Sequence, residues 1–440
     1  MLKYNFKILI GPYDIAGYYS NLAKGLKQIG VNCDYITYVN HPYNYGGETK
    51  KPFLLKLTKY LNSYVNISKY PYLVRKIAEI FGVAFSTLWA INAILKYDVF
   101  IFGFGKSLMI YNIDLVFLKY LNKKVISNMA HGSEARPIYI DGSFQSYDGS
   151  YYPSINKIIT GAINSKKLVE KHHRLSTYLI GAPYSTSYFT SKKFINAFAL
   201  GIPFEYNTNN LNVNRSKNDS ICRILHSPSH PAAKGSPQII DAINNLKKKG
   251  YEIELTIIQG KSHSEVIYEI GRCDFIVDQL YSDTPLAGFA TEAAWFGKPA
   301  IVGGYGINSL KKYVPSDMWP PSKTCQPEDI ELAIESLIIN KDERVLLGKS
   351  ASDFVRNKWS SINVAFRYKQ IIEGIIPEDW WLNPYDVTYL EGAGQTKEIT
   401  KKNINNIVAK KGKNALQLNH RPDLEVAFLE FAGINFDVNA

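Results

Sequence analysis

Short apolar runs alternate with segments of helical periodicity along the first 205 residues, and this alternation limits the fold more than any other feature of the chain. Residues 6–10 predict a strand that ends at Gly11-Pro12, residues 17–29 predict a helix, and residues 33–38 predict a second strand. Further strands are expected at 98–103, 124–128, 157–160 and 176–180, and a helix at 115–121. This pattern predicts the α/β class with a parallel, doubly wound sheet.

A polar stretch interrupts the pattern at residues 206–219, which contain six asparagines and no sustained apolar run. The alternation then restarts, with strands expected at 223–226, 253–258, 274–277 and 299–302 and helices at 237–248, 264–270 and 285–296. We therefore predict two Rossmann-like domains, 1–205 and 220–360, that face each other across a cleft and are joined by a linker at 206–219. Residues 361–384 are expected to cross back over the domain junction, and residues 385–440 to form a helical appendage.

The composition is that of a globular protein, because 46% of the residues are hydrophobic and 20% are charged. This excludes disordered and collagen-like chains. The four cysteines form no C-x-x-C pair, which argues against a zinc site and a disulfide framework. The most apolar stretch, 83–95, is shorter than the roughly 20 residues of a membrane span. Residues 1–10 are expected to be a strand and not a signal peptide, so a cytoplasmic location is expected.

The chain is basic, with a net charge of +12, but ten of its 51 basic residues are arginines and the rest are lysines. A nucleic-acid partner is not expected, since such proteins depend more on arginine. One segment, 50–76, contains no acidic residue and mixes aromatic side chains with seven basic ones: Lys50, Lys51, Lys56, Lys59, Lys69, Arg75 and Lys76. Two interpretations stay open, a peripheral contact with an anionic membrane and an ordinary solvated pair of helices.

The first motif with chemical content lies at residues 226–246, which read HSPSHPAAKGSPQIIDAINNL. A strand is expected to end at His226, and Lys234-Gly235 then precedes a serine and a proline that are typical of a helix start. An ammonium group beside the positive end of a helix is suited to a phosphate. The alternative is that Ser-Pro is only a good helix start.

The second motif lies at residues 274–306, where Thr284-Pro285 is expected to open a helix after a strand. Small residues in its first turn, Ala287 and Gly288, would let a ligand approach the free backbone N–H groups. Glu292 lies on this helix among alanines, and a carboxylate there is costly to bury without a partner. It either meets a ligand hydroxyl, which we favour, or is paired internally.

The two motifs together resemble the donor-binding domain of GT-B glycosyltransferases of the retaining family-4 kind. The resemblance implies that Lys234 contacts the phosphates of a nucleotide sugar and that Glu292 binds the ribose. Residues 103–137 are similar to the acceptor domain of bacterial cell-surface polysaccharide transferases. The family has a glutamate where this chain has Thr284, and it has an arginine where this chain reads His226-Ser227-Pro228. Either Asp283, after a one-residue shift, and a histidine fill these roles, or the positioning of the sugar differs.

The resemblance also implies contacts from the first domain. The loop 11–17 follows the first strand, and in GT-B enzymes this loop faces the cleft, which makes Ala16 and Gly17 candidates for the donor phosphates. His131 follows another strand and is a candidate for a sugar or acceptor contact. Glu134 and Arg136 follow it closely and either contribute to the site or pair with each other.

These observations predict a glycosyltransferase that moves a hexosyl or related sugar from a nucleoside diphosphate to a glycan or lipid-linked acceptor, as in capsule or lipopolysaccharide synthesis. Asp283, His131 and Lys234 are the candidate catalytic residues. No metal and no cofactor beyond the donor substrate is expected, since helix ends and Lys234 would neutralise the diphosphate. An inverting enzyme would need a base such as Asp14 or Glu134. The alternatives are a sugar-nucleotide epimerase of the same fold and a catalytically silent partner in glycan assembly.

Overall fold

The first of two sheets is formed by six parallel strands from the amino-terminal half of the chain and one strand from its carboxy-terminal part. The computed structural model describes residues 6–38, 52–65, 70–206 and 220–434. The sheet has the strand order β12-β6-β5-β4-β3-β1-β2, and only β12 runs antiparallel to its neighbour. Its strands are β1 (Ile8–Ile10), β2 (Cys33–Tyr35), β3 (Val99–Gly103), β4 (Lys124–Asn128), β5 (Tyr178–Gly181), β6 (Phe194–Asn196) and β12 (Trp381–Leu382).

Helices cover both faces of this sheet. They are α1 (Tyr18–Gln28), α2 (Phe53–Val65), α3 (Tyr72–Lys96), α4 (Asp114–Tyr120), α5 (Ile155–Leu175) and α6 (Ala197–Leu200). On one face α1 buries Leu22 and Leu26 at helical spacing. On the other face α3 and α4 share one core cluster, to which they contribute Trp89, Leu115 and Leu118. The first domain is therefore doubly wound, as the alternation predicted.

The second sheet repeats this architecture with the order β11-β10-β9-β7-β8, and all its pairs are parallel. Its strands are β7 (Cys222–His226), β8 (Ile253–Ile257), β9 (Phe275–Gln279), β10 (Ala300–Gly303) and β11 (Lys323–Cys325). Its helices are α7 (Pro231–Lys234), α8 (Ser236–Lys248), α9 (His263–Arg272), α10 (Gly288–Trp295), α11 (Ile330–Ile339) and α12 (Lys341–Lys358). Two Rossmann-like domains that face a cleft, the GT-B arrangement, are thus confirmed.

The carboxy-terminal part of the chain returns to the first domain. Helix α13 (Ser361–Glu373) packs against α1 through Val364 and Tyr368, and β12 then extends the first sheet. The last described elements are α14 (Lys397–Lys411) and α15 (Pro422–Phe431). The segment before α14 joins both domains, because Gly142 N donates to Ala393 O and Gly394 N donates to Tyr281 O, each at 2.8 Å. The predicted helical extension is confirmed, and the segment that leads into it is hydrogen-bonded to both domains.

Several expectations about local structure need correction. Residues 157–160 are not a strand but part of α5, whose Ile158, Ala162 and Val169 are buried at helical spacing; a four-residue apolar run does not separate the two structures. The stretch 83–95 belongs to α3, which by length and composition alone is long and apolar enough to cross a membrane. The expected linker lies, apart from Tyr206, outside the described residues.

Candidate functional site

A cleft of about 290 Å³ opens at the carboxyl ends of the second sheet's strands, where the two domains meet. Parallel sheets bind their ligands at this edge. The first domain contributes the loop after β1, and the second contributes the segments that follow β7, β8 and β9. The lining residues are Ile15, Ala16, Ser227, Pro228, Ser229, Lys234, Ile258, Gly260, Lys261, His263, Val266, Ala287, Gly288, Phe289 and Glu292.

The first-domain wall is a tight turn. Ala16 has φ +47° and Gly17, which precedes α1, has φ +79°, so both adopt the left-handed conformation. The domains nearly touch here, because a Cβ on Gly288 would lie 3.9 Å from the Ala16 Cβ. The turn is held by Asp14, which accepts hydrogen bonds from Tyr19 N at 2.9 Å and from the Tyr35 hydroxyl at 2.6 Å. The structure thus places the predicted Ala16 in the cleft wall, with Gly17 directly behind it.

Lys234 reaches the cleft from the end of α7. Gly235 then makes the left-handed turn into α8 at φ +70°, and a Cβ there would lie 2.5 Å from the Leu280 Cβ. The ammonium group donates to Gln279 Oε1 and lies 3.5 Å from Asp278 Oδ1. Lys234 is therefore in the predicted place, and in this structure it already has a carboxylate partner.

Glu292 combines both interpretations offered by the sequence. The residue is 3% exposed, and its Oε1 lies 3.1 Å from Nε2 of His263, the first residue of α9. Its Oε2 is buried and finds no hydrogen-bond partner within the described part of the chain. An ionised oxygen without a donor is costly to bury, so the cleft presents an acceptor that a ligand hydroxyl can satisfy.

Helix α10 begins three residues later than expected. Its N-cap is Ala287, and its first internal bond runs from Thr291 N to Ala287 O at 2.8 Å. The N–H groups of the first turn have no partner within the helix, and the first residues of α10, Gly288 and Phe289, line the cleft. Thr284 neither caps the helix nor lines the cleft; its N–H donates to Ser282 Oγ at 3.1 Å. The expectation that Thr284-Pro285 opens the helix is wrong, because the chain forms a bend at residues 283–286 before α10 begins.

Asp283 lies outside the cleft lining, in a buried ion cluster between the domains. It is 6% exposed and accepts a hydrogen bond from Arg136 of the first domain. Arg136 also donates to Asp141 Oδ2 at 2.8 Å. Burial opposes the charge of Arg136, but the carboxylates of Asp283 and Asp141 more than compensate and raise its pKa. Arg136 therefore pairs with these two aspartates. Pairing between Arg136 and Glu134, one of the two alternatives offered by the sequence, is not what the structure has.

The partly buried His131 and the buried Glu134 form a second group behind the first-domain wall. His131 Nε2 lies 2.8 Å from the Tyr19 hydroxyl, and burial lowers the pKa of His131 to about 4. The backbone N–H of His131 donates to Glu134 Oε1 at 2.9 Å, whereas Glu134 Oε2 has no hydrogen-bond partner among the described residues. Desolvation raises the pKa of Glu134 to about 7. His131 does not line the cleft itself.

His226 does not replace the arginine of the family pattern in the cleft. It is fully buried, with Nδ1 2.7 Å from Val277 O and Nε2 2.7 Å from Ser236 Oγ. Burial lowers the pKa of His226. The side chain therefore ties β7 to β9 and to the start of α8.

Sequence analysis missed the loop after β8, which brings Lys261 and His263 to the cleft. A signal was present, since Ser262 and Glu265 form a capping box at the start of α9, directly after a strand. Lys234 and Lys261 are the cations of the cleft lining. No group of three or more metal-ligating side chains occurs in the described ranges.

No model of a known protein family matches this sequence, and no curated protein matches it. Solved structures show distant similarity. HepE of Anabaena, solved in complex with UDP and glucose, shares 10% identity over 84% of this chain and 100% of that chain, with a TM-score of 0.48. A glycosyltransferase from Rickettsia africae shares 15% identity over 84% and 99%, with a TM-score of 0.45. A mutant form of TarM from S. aureus shares 12% identity over 66% of this chain and 58% of that chain, with a TM-score of 0.43.

Proposed function

We propose that the cleft binds a nucleoside diphosphate sugar and that the chain transfers the sugar to an acceptor hydroxyl. The observation that carries this proposal is the buried Oε2 of Glu292, which has no hydrogen-bond partner among the described residues and lies in one cleft with Lys234 and the start of α10. Together these groups provide a hydroxyl acceptor, a cation and free backbone donors. A nucleoside diphosphate presents the complementary set, namely ribose hydroxyls and a dianionic diphosphate.

The ligand orientation follows from these partners. Glu292 accepts from the ribose, and the first N–H groups of α10 with the Lys234 ammonium bind the diphosphate. Gly288 lacks a side chain, so a phosphate oxygen can reach the backbone closely. The apolar side chains of Ile258 and Val266 form the wall next to Lys261 and His263, where the base packs. Lys234 exchanges its contact with Asp278 for one with the ligand.

The transfer step needs stabilisation of the leaving group. The bond between the sugar C1 and the diphosphate oxygen breaks, the acceptor oxygen bonds to C1, and the diphosphate leaves with the electron pair. Lys234 and the α10 dipole stabilise the growing negative charge. In a retaining reaction the acceptor proton passes to the leaving phosphate oxygen.

An inverting reaction would instead need a carboxylate base, for which the sequence offered Asp14 and Glu134. Both oxygens of Asp14 accept hydrogen bonds, from Tyr19 N and Tyr35. Glu134 keeps one oxygen without a partner in the described structure, and desolvation raises its pKa to about 7, close to the working range of a general base. Glu134 is therefore the better candidate of the two.

The finer assignments are proposed from the sequence. The resemblance of residues 226–246 and 274–306 supports a retaining hexosyl transfer, and that of residues 103–137 supports a glycan or lipid-linked acceptor in cell-surface polysaccharide synthesis. The helix ends and Lys234 support a reaction without a metal, and a location in the cytoplasm belongs to the same proposal. A second candidate, a catalytically silent nucleotide-sugar binder, is favoured by Asp283, because this carboxylate pairs with Arg136 and lies outside the cleft lining.

Thermal stabilisation by a panel of nucleosides, nucleoside diphosphates and nucleotide sugars tests the proposal. A matching ligand at a hundred times its Kd should stabilise the fold by about 2.7 kcal/mol, and the diphosphate should exceed the nucleoside. Release of the diphosphate is then measured with and without alkyl glycoside acceptors. Acceptor-dependent release supports transfer, binding without release supports the silent partner, and conversion without acceptor supports an epimerase. No stabilisation by any nucleotide would reject the proposal.

A further inference from the structure

The outward face of α3 carries an unusual apolar stripe. Six aliphatic residues recur there at spacings of three, four and eight residues, and each is 46% to 72% exposed: Leu73, Ile77, Ile80, Leu88, Ile91 and Leu95. The spacing keeps them on one side of the helix over ~33 Å. A surface helix normally turns such a stripe toward the core. Here the core is packed by the opposite side, through Trp89 and Ala93.

A second helix on the same face of the first sheet also exposes apolar side chains. Helices α3 and α4 lie on this face, because they contribute to one core cluster. The exposed apolar side chains are Ile113, which directly precedes α4, and Val116, Phe117 and Tyr120 on α4. Exposed apolar residues grouped on one face are typical of an interaction site.

Basic residues outnumber acidic ones on α2 and α3. These helices carry one acidic residue, Glu79, against these cations: Lys56, Lys59, Arg75, Lys76 and Lys96. Two of the five cations are in ion pairs, Lys76 with Glu79 and Lys96 with Asp34. The same two helices also expose the aromatic side chains of Phe53, Tyr60 and Tyr72. Aliphatic residues beside lysines and interfacial aromatics are typical of helices that lie in the headgroup region of an anionic membrane.

Two other occupants fit less well. Helix–helix partners select each other through charges at the flanking positions, and α3 has no charged residue between Gly82 and Leu95. A spanning helix would be free of the protein, whereas α3 packs on α2 and on the sheet, with a hydrogen bond from Thr58 Oγ1 to Gly82 O at 3.4 Å.

We propose that the exposed faces of α3 and α4 dock in the plane of an anionic lipid monolayer. The apolar stripe enters the acyl boundary, and the lysines of α2 and α3 contact the headgroup phosphates. This extends the sequence-based membrane hypothesis from its basic residues to an apolar face; Lys50, Lys51 and Lys69 lie outside the described residues. The proposal does not depend on the transfer reaction.

Flotation of the full chain with vesicles tests this docking. Vesicles contain phosphatidylcholine alone or with phosphatidylglycerol, at low and high salt. We expect recovery with the anionic vesicles that falls as salt rises. Ile80→Ser/Leu88→Ser should lower the partition coefficient at least tenfold. The matched control is Val345→Ser/Leu346→Ser, which changes two exposed apolar residues of α12 in the other domain and should bind like the wild type.

Melting curves confirm that both double variants are folded. Lys56→Gln/Lys59→Gln should abolish the preference for anionic vesicles while leaving weaker binding. The proposal is overturned if the wild type ignores both vesicles, or if the α3 variant floats as well as its control. It is also overturned if sedimentation shows a dimer that the α3 variant dissociates, or if alkaline carbonate fails to release the chain from vesicles.

Discussion

Two buried carboxylates of the second domain, Asp283 and Glu292, are nine residues apart and have opposite environments. Asp283 meets Arg136 of the other domain, which also binds Asp141. Glu292 shares one oxygen with His263 and leaves the other without a partner among the described residues. The interdomain ion cluster of Arg136, Asp141 and Asp283 is thus internally satisfied, whereas the cleft around Glu292 is one donor short. Burial of a carboxylate therefore does not by itself mark a ligand site, and neither does a missing partner, since Glu134 Oε2 also lacks one among the described residues; Glu292 combines an unpartnered oxygen with a place in the cleft lining.

The largest effect is expected when the interdomain ion cluster loses its cation. Arg136→Met leaves two aspartates buried without a counter-charge, which should cost about 3–5 kcal/mol of unfolding free energy. Urea denaturation measures this loss. The triple variant Arg136→Met/Asp141→Asn/Asp283→Asn should recover much of it, because no net charge remains buried. A single variant as stable as the wild type would show that the cluster does not join the domains.

Next in size is a pH effect from Glu134, beside the interdomain ion cluster. Desolvation raises the pKa of Glu134 from 4.5 to about 7 in the folded state. The protonated carboxyl therefore contributes its full share to the unfolding free energy below pH 4.5, and this contribution is lost as the pH rises through 7. The loss amounts to about 3 kcal/mol. The unfolding free energy of Glu134→Gln minus that of the wild type should therefore grow between pH 4.5 and 7. A difference that stays constant over this range would contradict the desolvated carboxyl.

The cleft should respond through ligand binding. Removing the charge-assisted contact of Lys234 should weaken diphosphate affinity by about 1.5–3 kcal/mol, roughly ten- to a hundredfold. Lys234→Ala alone also leaves Asp278 without its cation, so Lys234→Met/Asp278→Asn is the cleaner variant. Titration calorimetry compares it with Lys249→Ala, whose side chain pairs with Glu331 on the outer surface. Equal affinities for the two would remove Lys234 from the site.

The smallest effect is expected at Thr284, between the two carboxylates. Its side chain caps no helix, so Thr284→Ala should change the unfolding free energy by less than about 0.5 kcal/mol. Loss of a real N-cap would cost about 1 kcal/mol. Denaturation of the two proteins in parallel distinguishes these values.

The sequence predicted the parts that depend on local order. Each Rossmann-like domain follows from the alternation of strand-like and helix-like hydrophobic patterns. The sequence could indicate that Lys234, Ala16 and Glu292 lie at the cleft, because each lies at a strand-to-helix junction or on the helix that follows it. The role of Asp283 depends on Arg136, 147 positions away, and no local pattern reports such a contact. The bend before α10 and the continuation of α5 through residues 157–160 were missed for a related reason, since tertiary packing decided between local alternatives.

The difference between a structural Asp283 and a ligand-binding Glu292 is tested by two charge-removing variants. Titration calorimetry with the best-binding nucleoside diphosphate and urea denaturation are applied to Glu292→Gln and Asp283→Asn. We predict that Glu292→Gln lowers affinity at least tenfold and changes the unfolding free energy by less than about 1 kcal/mol. Asp283→Asn should keep the affinity and lose about 1–3 kcal/mol of stability. Intact affinity with a large loss of stability in Glu292→Gln would contradict the account.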